Sequence, residues 1–175
     1  MLTKSKVKKY WRDRVDEHGG RAVGFDNLPM GVLEAEDRVR KEFIFTRCPK
    51  NLKTLDYGCG IGKYAEDFES YSGVDITWKL IEIARQEHLG KMFFVLDDIK
   101  LSETSMTFEL FFTATVLQHN PDDVVLDIIE SVKNARPSNL MFSLYEIADV
   151  QAPHVRGRDA EAYVEMVSKF FDIED

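Results

Sequence analysis

Residues 54–68 read TLDYGCGIGKYAEDF. A short apolar run reaches an acid, Asp56, and glycines then fall on alternate positions at Gly58, Gly60 and Gly62. Glycine inside regular structure is entropically costly, and its use is a turn of unusual handedness or the close approach of another group. The spacing therefore predicts a strand, KTLDY, that stops at a loop built for close approach. KYAEDF then continues as a short helix of about two turns.

Outward from this loop the apolar period switches repeatedly between two and about 3.6. On the N-terminal side, residues 4–17 predict a charged helix. A loop follows with Gly19, Gly20, Gly24 and Pro29, and then a helix over 31–46 with Val32, Leu33, Val39, Phe43 and Ile44 on its inner side. On the C-terminal side SGVDI is a second strand, and Thr77 is placed to cap the helix WKLIEIARQEHL. MFFVLD and FELFFTA read as the third and fourth strands. NPDD at 120–123 predicts a helix start with Asn120 as cap, Pro121 at the first helical position and two acids on the positive end of the dipole. NLMFSLYEI is a fifth strand, residues 158–169 a last helix, and FFDIED the start of a sixth strand. The alternation predicts an α/β fold with a doubly wound, mostly parallel sheet covered by helices on both faces.

Composition sets the bounds. The chain has 175 residues, 44% of them hydrophobic and 31% charged, which suits one soluble domain with a real core. A formal net charge of −8 argues against a protein whose main task is gripping nucleic acid. The lysines at 4, 6, 8 and 9 are followed by Asp13, Asp16 and Glu17, as on a solvated helix face. The two cysteines, Cys48 and Cys59, have no metal-like spacing, so no metal is expected. With no apolar leader in the first residues and no run of membrane-spanning length, a reduced, cytoplasmic setting is expected.

In a doubly wound sheet the ligand lies at the carboxyl ends of the strands, where strand order reverses. The residues at those ends are Asp56 to Gly62, Asp75, Asp97 with Asp98, Thr113 to His119, and Tyr145 with Glu146. One acid at a strand end is ordinary contact with solvent. Acids closing three successive strands beside a glycine loop point to a ligand.

Four segments carry a more specific resemblance. LDYGCGIG resembles the first motif of class I S-adenosylmethionine-dependent methyltransferases, an acid followed by GxGxG. GVDIT is similar to their second motif, VLDDIKL to the segment ending their third strand, and FELFFTATVLQHNPDD to the fourth strand and its loop. The match spans roughly residues 50–147, in order. The resemblance divides the chain into an N-terminal helical lid region (1–48), a cofactor-binding core (50–147), and an acceptor-side loop with the last helix and a possible sixth strand (148–175). The family carries a seventh, antiparallel strand, and this sequence ends near the sixth. A nicotinamide-binding loop is the rival, but its GxGxxG spacing needs a third glycine where Lys63 stands. The acids also suit a cationic sulfonium better than a pyrophosphate, which favours a helix N-terminus.

The resemblance implies S-adenosyl-L-methionine as cofactor, S-adenosyl-L-homocysteine as its product, and transferase activity by in-line methyl transfer. Gly58, Gly60 and Gly62 would let the cofactor approach the backbone. Asp75 would accept from the ribose hydroxyls and Ile76 would pack on the adenine. Asp97, or alternatively Asp98, would accept from the adenine amine, with the backbone N–H of Asp98 or Ile99 on a ring nitrogen. Thr113 would lie near the methionine portion, and Asp56 would fix the loop. Tyr10 and Trp11 would fold as a lid over the cofactor or simply pack an amphipathic helix. His119, beyond the fourth strand, would serve as a general base or orient its loop. His154, Arg156 and Arg158 would line an acidic acceptor's pocket or form a solvated loop. The sequence lacks the Pro-Pro-Tyr or Pro-Pro-Phe of amino-methylating DNA enzymes and any Pro-Cys pair, which favours a small-molecule acceptor. A non-catalytic methyltransferase-like subunit is the alternative.

Overall fold

The computed structural model describes residues 4–23, 29–96, 101, 106–135, 140–146, 151–152 and 154–173. Helix α1 (Lys4–His18) runs into a 3-10 turn (Gly19–Val23), and α2 (Met30–Phe45) leads to the first strand. Strands β1 (Lys53–Tyr57), β2 (Ser70–Asp75), β3 (Met92–Val95), β4 (Leu110–Ala114) and β5 (Met141–Tyr145) form one parallel sheet in the order β3-β2-β1-β4-β5. Helix α3 (Trp78–Glu87) joins β2 to β3, and α4 (Asp122–Asn134) joins β4 to β5. A two-residue antiparallel ladder follows, β6 (Gln151–Ala152) with β7 (Val155–Arg156), and then α5 (Ala160–Ser168).

β1 is the strand from which the chain winds both ways, with β2 on one side and β4 on the other. Its middle residues are buried on both faces, with Thr54 and Asp56 at 2% exposure and Leu55 at 0%. Alternate side chains feed two separate cores. Leu55 and Phe111 face α4 and α5, packing with Val125, Ile129 and Val167. Leu110 and Phe112 face the other way, with Ile44 of α2, Ile81 and Ala84 of α3, and Phe68 before β2. Full burial of each such side chain stabilises by roughly 1.5–3 kcal/mol. A third, small cluster of Val15, Ala22 and Leu80, with Val23 and Ile61 beside it, holds α1 and its 3-10 turn against α3 and the glycine loop.

Several local expectations are corrected. KYAEDF makes one 3-10 turn (Ala65–Asp67), not two helical turns. The apolar residues of α2 do not all face inward: Val32, Val39 and Phe43 are 48%, 63% and 55% exposed. The inward side of α2 is largely ionic. Lys63 pairs with Asp37, Lys41 with Asp67 at 2.6 Å, and only Ile44 of the five is buried. α4 begins one residue later than expected. Pro121 occupies the cap position, and the Asn120 side chain donates to the Val116 carbonyl instead of capping. Thr77 stands at the cap position of α3 but makes no side-chain cap. Residues 171–173, expected to open a sixth strand, are not in a strand, and the β6–β7 ladder was not foreseen.

Gly73 on β2 tests how tightly the sheet is packed here. A Cβ at that position would come 2.7 Å from Cys59 Sγ and 2.9 Å from a Phe93 ring carbon. Gly73→Ala should lower stability by about 1–3 kcal/mol through overpacking. Gly31→Ala, in open space on α2, should leave it unchanged or raise it by up to about 1 kcal/mol. Urea-unfolding midpoints of the two variants check this.

Candidate active site

The site is built where the winding reverses, at the carboxyl ends of β1, β2, β4 and β5. Asp75 closes β2 and is 8% exposed. Its Oδ2 accepts from the Gly60 N–H at 3.1 Å and its Oδ1 from the Thr77 N–H at 2.7 Å. One carboxylate thus ties the glycine loop to the start of α3. Burial pushes its pKa up, and these two N–H groups oppose that rise by favouring the charged form. A carboxylate has about four acceptor positions, so Asp75 retains capacity for further donors. Beside it in the chain, Thr77 Oγ1 is buried without a hydrogen bond among the described residues.

Asp56 closes the middle of β1 and accepts from the Tyr71 hydroxyl at 2.7 Å. Burial raises its pKa to about 7, with the Tyr71 bond lowering it and the Asp75 charge adding to the rise. It is therefore shared between the charged and neutral forms near neutrality.

All three loop glycines have positive φ: +78° at Gly58, +56° at Gly60 and +81° at Gly62. Each is also pressed by a neighbour. A Cβ on Gly58 would meet the Val116 side chain at 2.6 Å, on Gly60 that of Val23 at 2.9 Å, and on Gly62 those of His88 and Phe93 at 2.8 and 2.9 Å. Gly62 packs against the β3 side of the loop, while Gly58 and Gly60 face the β4 loop and the 3-10 turn after α1.

The β4 loop is held by Glu146, at the end of β5. Its Oε1 accepts from Thr113 Oγ1 at 2.8 Å and from the N–H groups of Val116 and Leu117 at 3.2 and 3.1 Å. Its Oε2 accepts from the Gln118 N–H at 3.1 Å. Within this loop Thr115 has φ +58°, a left-handed conformation that a β-branched residue adopts only under constraint. The 3-10 turn Leu117–His119 follows.

His119 lies beneath α1. Its Nδ1 is 2.9 Å from the His154 carbonyl oxygen. A carbonyl only accepts, so Nδ1 carries the proton in the neutral ring and Nε2 keeps the lone pair. The His119 and His154 rings stack at 5.7 Å with planes 5° apart. Trp11 stands edge-on to His119 at 5.1 Å, and Tyr10 stacks on His154 at 5.1 Å. Burial lowers the His119 pKa; the hydrogen bond to the His154 carbonyl opposes this, and the charges of the His154 ring and Arg14 add to the fall. Arg158 is not part of a solvated loop. Its side chain is 7% exposed and donates to Asp122 Oδ1 and to the carbonyls of Leu117 and Asn120.

The sequence-predicted residues Asp56, Gly58, Gly60, Asp75, Thr113, His119 and Trp11 thus fall on this one end of the sheet. Ile76 follows Asp75 directly and is partly buried, while Gly62 faces Phe93. Asp97, Asp98 and Ile99 lie outside the described residues. Sequence reasoning missed Val23, Val116 and Tyr71, and it noted Glu146 only as a strand end. An acid at the end of the fifth strand was the available signal for Glu146. Nothing in the sequence pairs Val116 with Gly58. Among the described residues no group of three or more His, Cys, Asp or Glu converges as a metal site, and no helix is long and apolar enough to cross a membrane.

The same architecture occurs in solved structures. Haemonchus contortus phosphoethanolamine N-methyltransferase 1, in complex with phosphoethanolamine and S-adenosylhomocysteine, superposes with a TM-score of 0.69 at 18% identity over 94% of this chain. This chain spans only 40% of that protein's length. Magnesium protoporphyrin IX methyltransferase from Synechocystis PCC 6803, with bound S-adenosylhomocysteine, gives 0.68 at 15% identity, covering 95% of this chain and 88% of that one. A Leishmania major S-adenosylmethionine-dependent methyltransferase gives 0.67 at 16% identity over 94% and 71%. No protein-family model and no curated protein sequence matches the chain. The chain has the class I S-adenosylmethionine-dependent methyltransferase fold.

The raised pKa of Asp56 has a signed consequence for stability. Between an unfolded-state value of about 4 and a folded-state value of about 7, the folded protein keeps a proton that the unfolded chain has released. Stability is therefore greatest below about pH 4, other groups aside, and declines as pH rises to about 7. The decline is on the order of a few kcal/mol. Asp56→Asn, which keeps an acceptor for Tyr71, should flatten this slope in urea-unfolding midpoints measured from pH 4 to 8.

Proposed function

We propose that this protein is an S-adenosylmethionine-dependent methyltransferase acting on a small-molecule acceptor. The observation that carries the reading is Asp75. On a class I fold, it sits at the end of β2 with its carboxylate bonded to the glycine loop and with acceptor positions to spare. The donor set fits the cofactor. The described strand ends bear Asp56, Asp75, Thr113 and Glu146, which suit hydroxyls, an ammonium group and a sulfonium, and offer no cation to a pyrophosphate.

When bound, the cofactor supplies an electrophilic methyl group on a sulfonium. Asp75 holds the ribose hydroxyls, and Ile76 packs on the adenine. Asp97, or Asp98, accepts from its amine, with the Asp98 or Ile99 N–H on a ring nitrogen. Gly58 and Gly60 give the backbone its close approach, and Gly62 shapes the same loop from the Phe93 side. Asp56 fixes the loop through Tyr71. Thr113 acts through Glu146, to which its hydroxyl is donated. Trp11 and Tyr10 cover the site from α1 and exclude water. His119 accepts a proton at Nε2 where the acceptor atom must lose one.

A second reading, a non-catalytic methyltransferase-like binding subunit, is favoured by one observation. Val116 and Val23 already occupy the space that the missing side chains of Gly58 and Gly60 leave. Release of S-adenosylhomocysteine in a screen of small hydroxyl, amine and carboxylate acceptors separates the two.

Calorimetry with S-adenosylmethionine, S-adenosylhomocysteine and NAD tests the cofactor class. Binding of the first two and not of NAD is expected, and tighter binding of NAD overturns the reading. Asp75→Asn should weaken S-adenosylhomocysteine affinity by about 1.5–3 kcal/mol, roughly 10- to 150-fold, with a native circular dichroism spectrum. Unchanged affinity removes Asp75 from the site.

A further inference from the structure

Glu146 has been given no role of its own in the function proposed above, yet it holds the whole loop that follows β4. Its two oxygens receive four donors: one hydroxyl from β4 and three successive backbone N–H groups of the loop that follows. Those three N–H groups belong to the segment that enters the 3-10 turn, where no intrahelical acceptor exists for them. A single carboxylate supplies it. The loop has a further demand. Thr115, immediately before these residues, sits at φ +58°, a conformation that persists only when its surroundings over-determine it. Glu146 on one side and the Thr115 N–H donating to the Tyr145 carbonyl at 2.7 Å on the other provide that determination.

The two ends of this loop do different things. At one end Val116, whose N–H is bound to Glu146, presses on Gly58. At the other, one residue past the Gln118 N–H that binds Glu146, His119 donates to the His154 carbonyl beneath Trp11. We propose that Glu146 is the positioning residue of the site: its carboxylate sets the β4 loop so that Val116 abuts the glycine loop and His119 is presented, in one tautomer, under the lid helix. The proposal rests on the methyltransferase reading for what the loop serves, and on geometry alone for the positioning itself.

The test reads His119 directly and needs no acceptor. Glu146→Gln keeps the side-chain shape but turns one oxygen into an NH₂ group, so at least one backbone N–H then faces a donor. The loop should loosen, His119 should gain water, and its titration midpoint should rise toward the ordinary histidine value of about 6.5. The groups around that ring are His154, Arg14, Tyr10, Trp11 and the Gln118 side-chain amide, 3.5 Å from Nε2; of these the substitution reaches only Gln118, through the N–H that Glu146 accepts. NMR titration of the imidazole signals, with His119→Asn for assignment, gives the midpoint. A folded Glu146→Gln protein whose His119 midpoint equals wild type overturns the proposal, whatever its thermal stability. Should that variant fail to fold, Thr113→Val removes one of the four donors at constant shape. A smaller shift in the same direction supports the proposal, and none overturns it. Loss of S-adenosylhomocysteine binding by the wild type would refute the methyltransferase reading and leave this result standing, so the two failures are distinguishable.

Discussion

The carboxylate of Asp75 is the constraint on which the rest of the site depends. It accepts from Gly60 and from Thr77, and so fixes the path of the chain as it leaves β1 and as it enters α3. The Gly58 and Gly62 N–H groups of this loop find backbone carbonyls; that of Gly60 goes to Asp75, and a buried donor left without a partner costs about 1–3 kcal/mol. An acid at the end of the neighbouring strand resolves this while leaving the glycine side of the loop clear of side chains of its own. The left-handed Gly60 and the seating of α3 both meet at this one group.

The same solution appears a second time. Glu146 does for the β4 loop what Asp75 does for the β1 loop. In each case a carboxylate at the end of one strand accepts from backbone N–H groups of the loop that leaves the adjacent strand, one for Asp75 and three for Glu146. Burial raises the pKa of both groups and their donors pull it back. In both, hydroxyl or backbone N–H donors favour the charged form against that burial, with no cationic side chain among the hydrogen-bond partners. The floor of the cleft is therefore lined by carboxyl groups whose hydrogen-bond partners are hydroxyls and backbone N–H groups.

Much of this was legible in the sequence. The strands were readable because their apolar runs are short, bounded and closed by polar residues, and the parallel order followed from strands alternating with helices. The glycines and Asp75 were readable because loop chemistry restricts residue type. What could not be read depends on partners distant in the chain. The apolar residues of α2 predicted an inner face, but Asp37 and Lys41 reach ionic partners in the segment after β1, and this turns Val39 and Phe43 outward. Asn120 has the chemistry of a cap, yet the Val116 carbonyl claims its amide. His119 was visible as a candidate, whereas its tautomer depends on the His154 carbonyl, 35 residues away.

The contacts at Gly58 and Gly60 make pairs of positions inherit together. Val116 lies where a side chain at 58 would have to go, and Val23 where one at 60 would. A lineage could therefore not acquire alanine at 58 while keeping valine at 116, nor alanine at 60 while keeping valine at 23, without displacing the loop. The glycines would hold still only as long as their neighbours kept the same girth. Drift in this family of sequences would show as correlated change between the β1 loop and two segments that share no strand with it, the turn after α1 and the loop after β4.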